Sequence, residues 1–184
     1  MKPLNTVAAI GLALGAIFGL LGTMVSDQAV RAASWAIDSV GLIVATALLA
    51  LKFLREGCDF VAAGFLTFAI GEAVLLSGTA STLEASVPSF AAGTALWSAA
   101  LLLTGIPKRF ATWIRTVAVA GAILFAVTSA RIFLGERILP VSTPLPFFAY
   151  PFLVLTFVGW IWTLVTEPRR NEAGNLLGTA AGNS

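Results

Sequence analysis

The chain has no histidine and a single cysteine, Cys58. Without imidazole, the commonest ligand of haem iron and catalytic zinc is missing, as is the side chain that titrates near neutral pH. A Ser-His or Cys-His nucleophile pair cannot be assembled either. One cysteine excludes an intrachain disulfide, and beside Arg55, Glu56 and Asp59 it reads as a plain thiol at a membrane edge rather than a lipidation site. Also absent are H-E-x-x-H, a Walker-type G-K-[ST], G-x-S-x-G and the glycine fingerprint of dinucleotide sites. An acid–base pair of Asp38 and Asp59 would need the two on one side of the membrane, and the expected topology separates them. These gaps argue against an enzyme and against any bound cofactor or metal. Charge is scarce as well: 11% of residues are Asp, Glu, Lys or Arg, against about one quarter in an average soluble domain.

Apolar residues take the place of the missing charge. They make up 58% of the 184 residues, and the mean hydropathy is +0.94. A water-soluble core could not hide that much apolar surface. Runs near the length of a bilayer crossing recur at about 6–25, 35–54, 60–78, 90–106, 112–133 and 146–166. The expected fold is therefore all-α, a polytopic membrane protein whose six transmembrane helices form three antiparallel hairpins and consume residues 1–166 as one domain. The breaks carry turn chemistry, at Ser26-Asp27-Gln28, Arg55 to Asp59, Gly78 to Ser89, Pro107-Lys108-Arg109 and Pro140 to Pro146. Residues 167–184 turn polar after Pro168, which is expected to interrupt the helix, and read as a mobile cytoplasmic tail. The run from Val7 to Val25 is longer than the core of a signal peptide and no clear A-x-A site follows it, so it reads as a retained first span.

Placing the N-terminus in the cytoplasm puts Lys2, Lys52, Arg55, Lys108, Arg109, Arg115, Arg169 and Arg170 inside and leaves Arg31, Arg131 and Arg137 outside. That excess predicts both termini on the cytoplasmic side. Short loops and small size fit a bacterial inner membrane. Orientation also accounts for the sequence pI near 9.1, so the expected partner is the lipid bilayer and not nucleic acid.

Three charged residues fall within or just inside apolar runs: Asp38, Glu72 and Arg131. Each costs a few kcal/mol if left unpaired at the bilayer centre, so each should face protein or water. From the helical rise, Glu72 lies about 5 Å outward of mid-span, Asp38 about 9 Å and Arg131 about 12 Å. A Glu72–Arg131 contact with Asp38 at its mouth is the expectation, serving either as a packing lock or as an ion or solute path. Hydroxyls at Thr67, Ser77, Ser98, Thr104 and Thr128 can be satisfied by their own helix carbonyls.

Glycines mark the thin helix faces. Gly11, Gly15 and Gly19 repeat every four residues and Gly64, Gly71 and Gly78 every seven, so each set offers one side to a closely packed helix. Tryptophans are expected in interfacial belts, Trp35 near the outer surface and Trp113, Trp160 and Trp162 near the inner one, with Trp97 alone at mid-span. The segment Pro144 to Phe152 reads as a rigid, aromatic-anchored start to the sixth span, bent or unwound at Pro151.

Two functions fit these residues. The first is a small non-catalytic bundle, alone or as an accessory subunit, whose glycine seams receive partner helices or a second copy of the chain. The alternative is a small-solute or ion transporter or channel built on Asp38, Glu72 and Arg131. A cavity reaching Glu72 from the outside marks the alternative; a dry, fully paired Glu72 with an exposed glycine face marks the first.

Overall fold

A computed structural model of the chain describes residues 3–181, with side chains for residues 3–166. The helices are α1 Pro3–Met24, α2 Gln28–Arg55, α3 Asp59–Gly78, α4 Val87–Gly105, α5 Thr112–Phe133 and α6 Tyr150–Ala181. Six stretches are long and apolar enough to cross a bilayer, the last over Phe147–Thr166, and there is no strand among the described residues. The protein is an integral membrane helical bundle.

Local chemistry sets the helix ends. α2 starts ahead of its apolar run because Asp27 caps it, its carboxylate accepting a hydrogen bond from the Val30 N–H at 2.9 Å. That earlier start places Arg31 on a helix rather than in a loop. α2 and α5 each stop at a glycine in the left-handed region, Gly57 at φ +71° and Gly135 at φ +98°. In α5 the reversal is locked by Gly135 N–H to Ile132 C=O at 2.9 Å and Glu136 N–H to Arg131 C=O at 3.0 Å. A 3-10 turn, Phe147–Ala149, leads into α6. Pro151 therefore stands in the first turn of the α-helix, where its missing N–H has no partner to lose. Pro168 does not end α6, whose backbone continues to Ala181. The side chains of the tail expected over 167–184 lie outside the described residues.

Each helix packs against its neighbours in sequence, and α6 packs against both α5 and α1. The three expected hairpins thus close into one ring. Asn5 helps to seal it, its Nδ2 donating to the Leu164 carbonyl at 3.4 Å. We call the face that carries the N-terminus and the segments 56–58 and 106–111 proximal, and the opposite face, with segments 25–27, 79–86 and 134–146, distal.

A six-helix ring leaves space at its axis, and aromatic rings fill the proximal half of it. Phe53 stacks on Phe65 with centroids 5.4 Å apart, Phe65 meets the Trp160 edge at 4.6 Å, and Phe110 closes on Phe53 at 5.7 Å. Toward the middle, Phe68 stacks on Trp97 at 5.6 Å and meets Phe157 at 5.6 Å. Trp160 is 1% exposed and so belongs to this core, not to the interfacial belt expected for it. Trp113 and Trp162, at 47% and 63% exposed, do face outward as a belt requires.

The glycine seams are used inside the ring. A Cβ on Gly11 would strike the Gly41 carbonyl oxygen of α2, one on Gly15 the Leu42 side chain, and one on Gly19 would lie 3.0 Å from Asp38 Oδ2. On α3, Gly64 faces Ala100, Leu103 and Thr104 of α4, Gly71 faces Gly93, Leu96 and Trp97, and Gly78 faces Ser86 and Ser89. Close packing was the expected use, and the partners are helices of the same chain.

Candidate functional site

The distal half of the axis is open. A cavity of about 110 Å³ runs from the distal loops at Gln28, Ser81 and Leu83 down to Trp97 and Phe157. Its wall comes from α1, α2, α3, α4 and α6, and both Asp38 and Glu72 belong to it.

Gly15 and Gly19 on α1 and Gly78 on α3 bring the wall helices close together, Gly15 against Leu42, Gly19 against Asp38 and Gly78 against Ser89, and with Ser39 of α2 they belong to the cavity wall. Asp38 sits against Gly19, is 8% exposed, and its Oδ1 makes no hydrogen bond. Glu72, 1% exposed, accepts from Ser39 Oγ–H at 2.7 Å through Oε1 and from the Trp97 indole N–H at 3.1 Å through Oε2. Asp38 is the chain neighbour of Ser39, so the hydrogen bond from Ser39 to Glu72 sets the two carboxyls on one part of the wall. Tyr150 borders the same space and donates its hydroxyl to the Pro140 carbonyl at 2.7 Å, pinning the start of α6 to the loop before it. Arg31 lines the mouth, with Nη2 donating to the Val25 carbonyl at 2.6 Å and Nε buried without a partner.

Arg131 is not part of this site. It pairs with Glu136, Nε at 3.0 Å from each carboxylate oxygen and Nη2 at 2.6 Å from Oε2. Both side chains are well exposed, so the contact expected between Arg131 and Glu72 does not form. The reason is local. The glycine turn at 135 folds Glu136 back over the last turn of α5, and a surface pair needs no desolvation of either charge. The guanidinium holds the Glu136 carboxyl below its ordinary value.

Of the three charges singled out in the sequence, the structure thus brings together Asp38 and Glu72 and sends Arg131 elsewhere. The sequence does not single out Ser39 or Arg31 as site residues, it offers Tyr150 first as an anchor of the sixth span, and it distinguishes Trp97 only by depth. Trp97 carried a usable signal, since an indole N–H in mid-bilayer needs an acceptor and Glu72 lies at similar depth. The other hydroxyls behave as anticipated in part: Ser77, Thr104 and Thr128 bond carbonyls of their own helices, while Ser98 reaches across to Ala122 of α5 at 2.8 Å.

The arrangement holds two carboxyls and one guanidinium against a largely apolar, aromatic wall. Among the described residues no group of three or more Cys, Asp and Glu could hold a metal ion. No protein-family model, curated protein or solved structure matches this chain.

Proposed function

We propose that this protein is a non-catalytic small-solute carrier, with the distal cavity as its binding site. The single observation behind this reading is that two membrane-buried carboxyls line one cavity that reaches the distal loops. Buried charge inside a bilayer is costly, and in membrane proteins it commonly marks a translocation route. A carrier is favoured over a channel because the stacked rings around Phe65 and Trp160 occupy the axis on the proximal side. The glycine seams give the partner-binding reading no support, since they are covered by α2 and α4. The basic residues at the proximal helix ends and loops, Lys52, Arg55, Lys108, Arg109 and Arg115, support a cytoplasmic proximal face in a bacterial inner membrane, with the cavity opening outward.

The test uses Leu75→Cys, one turn from Glu72 on the cavity wall, in a chain whose Cys58 is replaced by Ser. A membrane-impermeant thiol reagent should label it from the distal side of sealed vesicles and not from the proximal side. Proteoliposomes offered labelled amino acids, amines and monovalent inorganic cations should then accumulate at least one class saturably, and Glu72→Gln should abolish that uptake. A cysteine at 75 that resists the reagent from both sides, or no uptake of any class, would overturn the proposal.

A further inference from the structure

Two buried side-chain atoms among the described residues lack a hydrogen-bond partner, Arg31 Nε and Asp38 Oδ1, and both residues line the distal cavity. Folded proteins leave few such atoms, and an unpaired donor and an unpaired acceptor on two residues of one cavity wall point to something that satisfies both. Arg31 and Asp38 stand seven residues apart on α2, two helical turns, and so on one face with Trp35 between them. The rise between them is about 10 Å. The cationic donor is at the mouth and the carboxylate deeper, beside Ser39, which binds Glu72. Between them the wall is apolar and aromatic, with Trp35, Phe90 and Tyr150.

Resting on the carrier reading of this cavity, we propose that its solute is a small zwitterion, an amino acid in the broad sense. Its carboxylate meets the Arg31 guanidinium, whose planar fork suits that group. Its ammonium meets Asp38 Oδ1, and the remaining N–H donors reach the lone pairs that Ser39 and Trp97 leave free on Glu72. A short hydrocarbon lies along the aromatic wall. A simple cation would leave Arg31 Nε unpartnered and share the space with a like charge. A simple anion would face two carboxylates.

Isothermal titration calorimetry on the full chain in lipid nanodiscs decides this. Unbranched amino acids of rising length, from glycine upward, are compared with the alkylamine and the carboxylic acid of matching length. At one length the amino acid should bind saturably and about tenfold or more tighter than either analogue, the worth of one charge-assisted contact. Arg31→Gln should erase its advantage over the alkylamine, and Asp38→Asn its advantage over the acid. Arg31→Lys, which keeps charge but not the fork, should retain part of the first. Each ratio is measured within one protein, so a smaller folded fraction does not imitate the result. Alkylamines that bind the wild type as tightly as every amino acid, or advantages that survive both substitutions, overturn the zwitterion. If no member of the three series binds while the cysteine at 75 is labelled from the distal side, the zwitterion falls and the carrier stands. If the cysteine is not labelled either, both fall.

Discussion

The proximal and distal halves of the ring are built from the same six helices, yet one is packed solid and the other is hollow. On the proximal side Phe53, Phe65, Phe110 and Trp160 meet ring to ring, and Arg109 covers Phe53 while pairing with Glu56 at 2.9 Å. On the distal side Gly15, Gly19 and Gly78 draw neighbouring helices together in the wall, and the axis stays open. Rings meeting across the proximal axis fill it, and the carboxyls lie where the axis stays open.

Substitutions can test that contrast, beginning where the packing is densest. Trp160→Ala removes the fully buried ring at the centre of the proximal layer. It should cost about 3–5 kcal/mol, read as a large fall in the thermal midpoint in a fixed detergent. Leu83→Ala at the cavity mouth should cost far less, and comparable losses at the two sites would erase the distinction between the halves. Next, Glu72→Ala strands the Ser39 hydroxyl and the Trp97 indole N–H, at about 1–3 kcal/mol for each buried donor. Glu72→Gln keeps an acceptor and should recover much of that stability, so thermal midpoints of the two variants separate hydrogen bonding from charge.

Gly11→Ala forces a Cβ onto the Gly41 backbone, which cannot swing aside, and should destabilise by about 1–3 kcal/mol. Gly19→Ala meets only the Asp38 carboxylate, which has cavity space beside it, and should be milder while disturbing the site. Equal destabilisation by the two would mean that the distal seam is as tight as the rest. Glu72→Gln and Arg131→Gln should add without coupling in a double-mutant cycle, because the two residues share no partner.

The smallest effect concerns the surface pair. Because Arg131 lowers the Glu136 carboxyl, the pair contributes its stability above the ordinary carboxylate range and loses it as pH falls through the lowered value. Thermal midpoints of wild type and Arg131→Gln should therefore converge at acid pH. A gap that persists there would assign Arg131 a different role.

Much of this could be read from the chain. Apart from the start of α2 and the end of α6, the apolar runs placed the six crossings within a few residues of their helices, and Gly78, Pro107 and Pro140 marked breaks where the chain does turn. Asp38 and Glu72 stood out because charge in an apolar run demands a partner. The start of α2 was placed late because the Asp27 cap extends a helix beyond its apolar stretch. Arg131 was misassigned because depth and tilt say nothing of Glu136, which a single left-handed glycine returns to it. The glycine repeats showed thin faces but not their partners, and Trp160 was read by depth although its side chain points into the ring.

What the sequence determined by itself is the set of crossings and the presence of charge inside them, since hydropathy and backbone hydrogen bonding in lipid are satisfied along each helix separately. What only the tertiary structure decided is which side chains meet: α6 closing on α1, Ser39 and Trp97 holding Glu72, the rings filling one half of the axis and the cavity in the other. Those outcomes depend on the rotation of each helix about its axis and on side-chain volumes summed across five or six helices. No single run of residues carries that information.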